Sequence, residues 1–129
     1  MPGQQEPPTH QIKSHRDLQV WQKAMKLAVQ VYAMTAKFPP IENYRLSAQL
    51  TRAAASVPAN IAEGNARGSR RDYANFLAIA KGSLMEVETF LLLAVELEYV
   101  TKQEAEHSLS LITEISKMLT ALRSRLIAS

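Results

Sequence analysis

The segment SVPANIAEGNARGSRRDY, residues 56–73, decides the fold, because it separates two long stretches with helical apolar spacing. Gly64 interrupts the first stretch, and Ser69 is a residue type that caps helix N-termini. We therefore expect Gly64 to end one helix as its left-handed cap and Ser69 to begin the next. Pro58 lacks a backbone N–H, so we expect a kink in the first helix, with Ser56 capping the part that follows.

Working outward from this segment, apolar residues recur at three- and four-residue intervals along nearly the whole chain. The spacing predicts four helices: from Asp17 to Phe38, from Glu42 or Asn43 to Glu63, from Ser69 to Glu98, and from Thr101 to the C-terminus. The connections between them are short, and no alternating strand pattern occurs. The sequence therefore predicts an all-α fold, an antiparallel up-and-down four-helix bundle with a kinked second helix.

The bulk composition fits one intracellular domain. The chain has 129 residues, and we expect residues 16–129 to form the bundle and residues 1–15, with four Pro and Gly residues, to be a disordered tail. It has no cysteine, which excludes disulfides, thiolate metal sites and cysteine nucleophiles. No apolar run is long enough for a membrane span or a signal peptide, so we expect a cytoplasmic protein.

Charge is distributed unevenly along the sequence. The formal net charge is only +3, but residues 67–81 carry four basic residues and one acid. Residues 82–114, in contrast, carry seven glutamates and a single lysine, Lys102. The molecule is therefore polarised along its sequence, with basic residues after the decisive segment and acidic residues further on.

Few residues in the sequence suggest catalysis or metal binding. A hydrolytic triad needs a histidine beside a nucleophile, but His10 and His15 lie in or next to the expected tail, which leaves His107 alone. A di-metal bundle needs Glu-x-x-His pairs on facing helices, and Glu104 with His107 has no second copy. We therefore expect no enzyme activity, metal or cofactor, and interpret Glu104, Glu106 and His107 as a solvated face.

The arginines around the turn at residues 64–68 allow two interpretations. The glycines lack Walker spacing and no strand precedes them, so this is not a nucleotide-binding loop. However, a turn before a helix N-terminus leaves free backbone N–H groups, which attract anions. We expect a phosphate backbone to contact Arg67, Arg70, Arg71 and Lys81, while an ordinary charged loop explains the same residues equally well.

A second group of polar residues lies among apolar neighbours inside the helices. The group comprises Arg52, Ser56, Asn60, Glu63, Ser83 and Glu86. A carboxylate on an apolar stripe is costly unless it is paired, so we expect Glu86 to meet a partner such as Arg52. We interpret the group as a buried structural network that sets helix register or an oligomer contact, rather than as an acid–base site.

The segments LQVWQKAMKLAVQVY, FPPIENYRLSAQLTRAAASVPANIAEGNARGSRRDYANFLAIAKGSLMEVET and VELEYV resemble the four-helix bundle proteins encoded in intervening sequences of bacterial 23S ribosomal RNA genes. The resemblance extends from Leu18 to the C-terminus and is densest from Arg52 to Glu86. There the patterns R-A-x-x-S-[IV]-P-x-N-I-A-E-G-x-x-R and F-L-x-I-A-x-G-S-x-x-E are matched position by position. The signature positions are Arg52, Ser56, Asn60, Glu63, Gly64, Arg67, Gly82, Ser83 and Glu86.

The resemblance implies a four-helix bundle that assembles into a homo-oligomeric ring, a pentamer, with a basic surface. Accessory proteins of diversity-generating retroelements look similar, which implies binding of nucleic acid and of a reverse transcriptase as a protein partner. Those proteins are more basic than this chain, whose residues 82–114 are acidic.

These observations lead to two main hypotheses for the function. The first is a non-enzymatic homo-oligomeric bundle that binds structured RNA or other nucleic acid through phosphate contacts, which position without reading sequence. The alternative is a protein-interaction scaffold with no nucleic-acid role, whose arginines serve solubility or subunit pairing. A third, a gene product of little consequence for its host, fits the sequence as well.

Overall fold

The computed structural model describes residues 14–128, in which four helices account for most of the chain. The helices are α1 (Gln19–Thr35), α2 (Leu46–Ala66), α3 (Arg70–Glu96) and α4 (Lys102–Ile127). Short 3-10 turns at His15–Asp17 and Pro40–Glu42 precede α1 and α2. The described residues include no strand, and the predicted all-α four-helix bundle is confirmed. None of these helices is both long enough and apolar enough to cross a membrane.

The first described residues lie close to residue 16, where we expect the disordered tail to end and the bundle to begin. Of the expected disordered tail, residues 1–13 lie outside the described residues. Ser14 and His15 already belong to structure, because the Ser14 hydroxyl accepts a hydrogen bond from the Arg16 N–H at 3.3 Å. The His15 ring also packs edge-on against Trp21, with centroids 5.1 Å apart. Ser14 and His15, which the sequence analysis assigns to the tail, therefore make contacts with the folded chain.

The core lies between the four helices, and each helix contributes one apolar face to it. Leu27, Leu50, Leu84 and Ile112, one from each helix, are completely shielded from solvent. Burial of a large aliphatic side chain stabilises the fold by about 1.5–3 kcal/mol. The buried residues follow helical spacing in all four helices. The apolar periodicity of the sequence therefore places these side chains in the core, where their burial stabilises the bundle.

Helix pairing can be read from contacts between side chains. The partners of α2 and α3 run in opposite directions: Glu42 just before α2 with Tyr99 just after α3, then Ser56 with Ser83, and Gly64 with Phe76. Arg70 at the start of α3 contacts the end of α4, while Gln30 near the end of α1 bonds to Ser108 in the first part of α4. Neighbouring helices in these three pairs therefore run antiparallel, and the starts of α1 and α3 share one end of the bundle.

The prediction for Gly64 was wrong. Helix α2 continues through it to Ala66, and none of the described glycines has a positive φ. A Cβ built on Gly64 would lie 2.8 Å from the Cβ of Phe76 and 3.2 Å from the backbone oxygen of Tyr73. Gly64 is therefore required by the close approach of α2 and α3, and not by a left-handed helix end.

The other helix signals differ in their outcome. Ser69 is the N-cap of α3, and its hydroxyl accepts from the Asp72 N–H at 3.1 Å. Helix α2 runs through Pro58 without interruption, and the kink stays a prediction. Ser56, expected to cap the segment after Pro58, instead contacts α3 through Ser83. Glu98 is the residue that adopts the left-handed conformation, with φ 63°, between α3 and α4.

Candidate nucleic-acid interface and the two grooves beside α3

Antiparallel pairing of α3 and α4 converts the charge pattern of the sequence into a charge pattern in space. Residues 67–85 and 115–128 together carry seven basic residues and one acid, and they meet at one end of the α3–α4 pair. Residues 86–114 carry seven acids and one lysine and lie towards the other end. We call the first region the basic end: Arg67, Arg70, Arg71, Lys81, Lys117, Arg123 and Arg125.

Arg70 fixes the junction between the two helices. Its Nε donates to the Leu126 carbonyl oxygen at 3.1 Å, and its Nη2 donates to the Arg125 carbonyl oxygen at 2.7 Å. These carbonyls belong to the last turn of α4. Carbonyl groups there have no hydrogen-bond partners within their own helix, and they carry partial negative charge. Arg70 therefore has a structural role as well as a charge, and three of its five N–H donors stay available.

Lys81 and Arg123 line a groove between α3 and α4. Lys81 Nζ donates to Thr120 Oγ1 at 2.7 Å, and Arg123 Nε donates to the Ala74 carbonyl oxygen at 3.2 Å. The groove has a volume of about 270 Å³ and an apolar floor that includes Leu77 and Leu119. We call it the α3/α4 groove; its lining includes no acidic residue.

Arg67 and Arg71 differ in their surroundings. Arg67 Nη2 forms an ion pair with Glu63 Oε2 at 3.2 Å, and its guanidinium lies 4.8 Å from the centroid of the Phe76 ring. Arg71 is exposed and forms no hydrogen bond or ion pair within residues 14–128. The four predicted phosphate-binding residues are thus brought to the same end of the bundle, but Arg71 alone among them is unengaged there.

Arg123 and Arg125 belong to the basic end and were missed by our sequence reasoning. They lie more than fifty residues from Arg70 in the sequence, so their proximity depends on the pairing of α3 with α4. One signal was available: after Glu114 the described chain contains no further acid, while it still carries three basic residues. Antiparallel pairing of that acid-free segment with the start of α3 would have placed them correctly.

The predicted polar network forms only in part. Ser56 Oγ and Ser83 Oγ are 2.9 Å apart, and Asn60 Nδ2 donates to Ser56 Oγ at 2.9 Å and to the Ser56 carbonyl oxygen at 2.8 Å. Arg52, Glu63 and Glu86 are exposed on the single chain. No ion pair joins Arg52 to Glu86 within the described residues, so the single chain shows neither the predicted burial nor the predicted pairing of these two.

Arg52 and Glu86 nevertheless lie on the two walls of one groove. This α2/α3 groove has a volume of about 210 Å³, and Ser56, Ser83 and Phe90 also line it. It carries one positive and one negative side chain and is therefore balanced in charge, unlike the α3/α4 groove. Further along the outer surface of α3, Ile79, Leu93 and Leu97 are 52%, 44% and 46% exposed.

The residues considered for metal binding have ordinary structural surroundings. The Glu104 carboxylate accepts from the Thr101 N–H at 2.8 Å in the capping box at the start of α4, and this hydrogen bond lowers the pKa of the Glu104 carboxyl below its usual value. His107 is exposed one turn further along. Residues 14–128 contain no group of three or more His, Cys, Asp or Glu side chains arranged to hold a metal ion.

Fold and surface together define an all-α four-helix bundle with a basic end. Residues 16–121 match the model of the 23S rRNA-intervening sequence proteins, and the chain belongs to this family. It is also similar to a protein with unknown function from the S23 ribosomal protein family of Bacteroides thetaiotaomicron VPI-5482, whose crystal structure was determined at 1.70 Å resolution. The sequence identity is 31%, the TM-score is 0.73, and the match covers 81% of this chain and 97% of the other. Comparison with curated proteins gives no match.

Proposed function

We propose that this protein is a non-enzymatic, homo-oligomeric bundle that binds nucleic acid, including structured RNA, through phosphate contacts at its basic end. The observation that carries the proposal is the separation of charge between the two ends of the α3–α4 pair. On this end of the pair α3 and α4 carry seven basic residues and one acid, and although Glu63 of α2 is paired with Arg67, the surface is positive while the net charge of the chain is only +3. Such a surface attracts the phosphate backbone without any need for base-specific contacts.

The donors at the basic end are suited to phosphate. Arg71 and Arg125 are exposed and have no hydrogen-bond or ion-pair partner for their side chains within residues 14–128. Arg70 and Arg123 each have donors left after the bonds that hold them in place. Because these bonds fix the guanidinium groups before a ligand arrives, less side-chain entropy is lost on binding.

Homo-oligomerisation is supported by two apolar surfaces on different helices. On α1, Met25, Val29 and Tyr32 are 41%, 66% and 54% exposed, and on α3 Ile79, Leu93 and Leu97 are similarly exposed. In the described chain no Cα atom of α1 lies within 8 Å of a Cα atom of α3, so these two helices occupy opposite corners of the bundle. Contact between two different surfaces generates a ring when the rotation closes. The number of subunits that the resemblance implies is five.

The nucleic-acid proposal is tested by charge reversal. We expect the double variant Arg71→Glu with Arg125→Glu to stay folded, because neither side chain makes a hydrogen bond or ion pair in residues 14–128. Its affinity for a structured RNA and for a DNA duplex, measured by fluorescence anisotropy, should fall at least about tenfold at low salt. The slope of log affinity against log salt should become shallower by about 0.9 for each lost phosphate contact on the duplex.

The matched control reverses the same number of charges at the other end of the bundle. Lys37 and Lys102 are exposed, and Lys37→Glu with Lys102→Glu changes the net charge equally. This control should bind nearly as tightly as the parent. Equal losses in both double variants would show that net charge matters and not the basic end. Absence of binding by the parent protein at low salt would reject the proposal and favour the protein-interaction scaffold.

The oligomer proposal has its own test. Val29→Lys places a charge in the exposed apolar surface of α1, and we expect it to reduce the mass measured by light scattering to that of a single chain. Gln103→Lys, an exposed polar position at the start of α4, is the control and should leave the mass unchanged. A parent protein that is monomeric at all concentrations would contradict this part of the proposal.

A further inference from the structure

Gly82 lies in the middle of α3 and has no structural explanation in the single chain. A Cβ added there would meet no atom within 4 Å, so close packing does not require glycine. Its φ is not positive, so backbone conformation does not require it either. Glycine inside a helix costs about 0.5–1 kcal/mol relative to alanine. A residue that destabilises the helix and leaves open space is expected where another molecule approaches the backbone.

The open space beside Gly82 is the α3/α4 groove. Leu77, Met85 and Leu119 give it an apolar lining, and Thr120 and Ser124 add hydroxyl groups. From Leu77 to Met85 the groove follows α3 for about 12 Å, at 1.5 Å per helical residue. Apolar walls with a few polar groups suit a planar ring that has an apolar face and hydrogen-bonding edges.

The charges of this groove have a single sign. Lys81 on α3 and Arg123 on α4 each use one donor for a bond within the protein, which leaves two and four donors free. The residues that line the groove include no carboxylate to neutralise them. The groove thus combines a site for a flat, largely apolar group with two positioned cations, and a nucleotide has both a base and a phosphate of these kinds.

We propose that the α3/α4 groove receives an unstacked base of a single-stranded nucleic-acid segment, while Lys81 and Arg123 bind the adjoining phosphates. This inference rests on the proposed nucleic-acid binding and adds the class of substrate. A base within a duplex is stacked and paired, so its face is not free to enter a groove, whereas loops and single strands expose their bases. The protein therefore prefers single-stranded segments to a duplex of the same sequence.

The test fills the groove without touching the cations. Gly82→Leu places a side chain in the open space, and Ala78→Leu does the same from an exposed groove position one turn earlier. Ala121→Leu, exposed on α4 and outside the groove lining, is the control. The probes are a short unstructured RNA strand and its duplex with the complementary strand, both labelled for anisotropy, at low salt. Circular dichroism melting checks that each variant is folded.

We expect the parent protein to bind the single strand more tightly than the duplex. Gly82→Leu and Ala78→Leu should each weaken single-strand binding about tenfold, which corresponds to about 1.4 kcal/mol, because the added side chain occupies the space of the base. Binding of the duplex, which uses phosphate contacts alone, should change little. A 2-aminopurine in the strand should change its fluorescence on binding to the parent and not on binding to the filled variants.

The outcomes separate this inference from the proposed function. If the filled variants bind the single strand as the parent does, or if the parent prefers the duplex, the groove inference is wrong. Loss of binding in Arg71→Glu with Arg125→Glu would then still support the basic end. If the parent binds neither probe at low salt, both proposals fail together. Should Gly82→Leu fail to fold, Ala78→Leu decides the question.

Discussion

The two sides of α3 are joined to their neighbours in different ways. Towards α2, contacts extend along the whole helix pair: Gly64 against Phe76 at the basic end, Ser56 with Ser83 in the middle, and Glu42 with Tyr99 at the far end. Towards α4, the polar contacts are made by three cations, all near the basic end: Arg70, Arg123 and Lys81.

The difference indicates two separate roles for the two sides of α3. The α2 side is closed by Gly64, by the Ser56–Ser83 hydroxyl pair and by the Glu42–Tyr99 hydrogen bond, and its groove carries Arg52 and Glu86 in balance, which suits a protein surface. The α4 side keeps an open groove with positive charge only, which suits an anion. We infer that the α2 side maintains the bundle and its assembly, and that the α4 side holds the ligand.

The largest effect is expected from closing the gap at Gly64. In Gly64→Ala the new methyl group would lie 2.8 Å from the Cβ of Phe76 and 3.0 Å from Tyr73 Cδ1, so the two helices must move apart. Overpacking of this kind costs about 1–3 kcal/mol. Chemical denaturation should show that loss in the free energy of unfolding. An unchanged stability would mean that α2 and α3 are not tightly joined at this end.

A smaller loss is expected from the middle of the α2–α3 pair. Ser83 is only 8% exposed, and Ser83→Ala removes the partner of the Ser56 hydroxyl. Since Asn60 still donates to Ser56 Oγ, we expect destabilisation of about 1 kcal/mol. A double-mutant cycle with Ser56→Ala measures the coupling directly. Additive effects of the two substitutions would contradict the hydroxyl–hydroxyl bond.

On the α4 side of α3, the corresponding substitution is expected to increase the stability of the fold and not to lower it. Gly82→Ala adds a methyl group where no atom lies within 4 Å and improves helix propensity, so it should stabilise the fold by about 0.5–1 kcal/mol. Thermal melting of Gly82→Ala and of Gly64→Ala compares the same glycine-to-alanine substitution on the α4 side and on the α2 side of α3. A destabilised Gly82→Ala would show that the glycine serves folding and would remove the main support for the groove inference.

Much of the fold follows from local sequence signals, because helix periodicity and caps are encoded by neighbouring residues. The four helices and the caps at Ser69 and Thr101 belong to this part. Gly64 shows where such signals fail. A glycine near a helix end predicts a helix cap, but glycine is needed at this position because Phe76 of another helix lies too close for a side chain. Glu98 is the converse case: a left-handed residue at the end of α3 without the glycine that would announce it.

The candidate site was predicted less completely, because it depends on how the helices are paired. Arg67, Arg70, Arg71 and Lys81 are neighbours in sequence, and the uneven charge distribution was visible there. The α4 contribution, Arg123 and Arg125, becomes visible only when α3 and α4 are set antiparallel. The paired Arg52 and Glu86 were expected because buried charges need partners, but on the single chain both are exposed and solvent removes that need.

The smallest effect concerns the far end of the α2–α3 pair and depends on pH. The Tyr99 hydroxyl donates to Glu42 Oε2 at 2.7 Å, and this bond lowers the pKa of the Glu42 carboxyl below its ordinary 4.5. A lowered folded-state pKa contributes stability that is present above pH 4.5 and is lost as the pH falls through the folded-state value. Tyr99→Phe removes the bond, so the variant should be less stable than the parent at pH 7, and the difference in stability should shrink in acid.

The free energy of unfolding, measured from pH 7 to below pH 4.5, checks the Tyr99–Glu42 bond, with Tyr44→Phe, a change at an exposed tyrosine, as the control. No difference in stability at pH 7 would mean that Tyr99 stabilises this end by packing against Phe38, 5.4 Å away between ring centroids, a contact that Tyr99→Phe keeps, and not through the carboxylate.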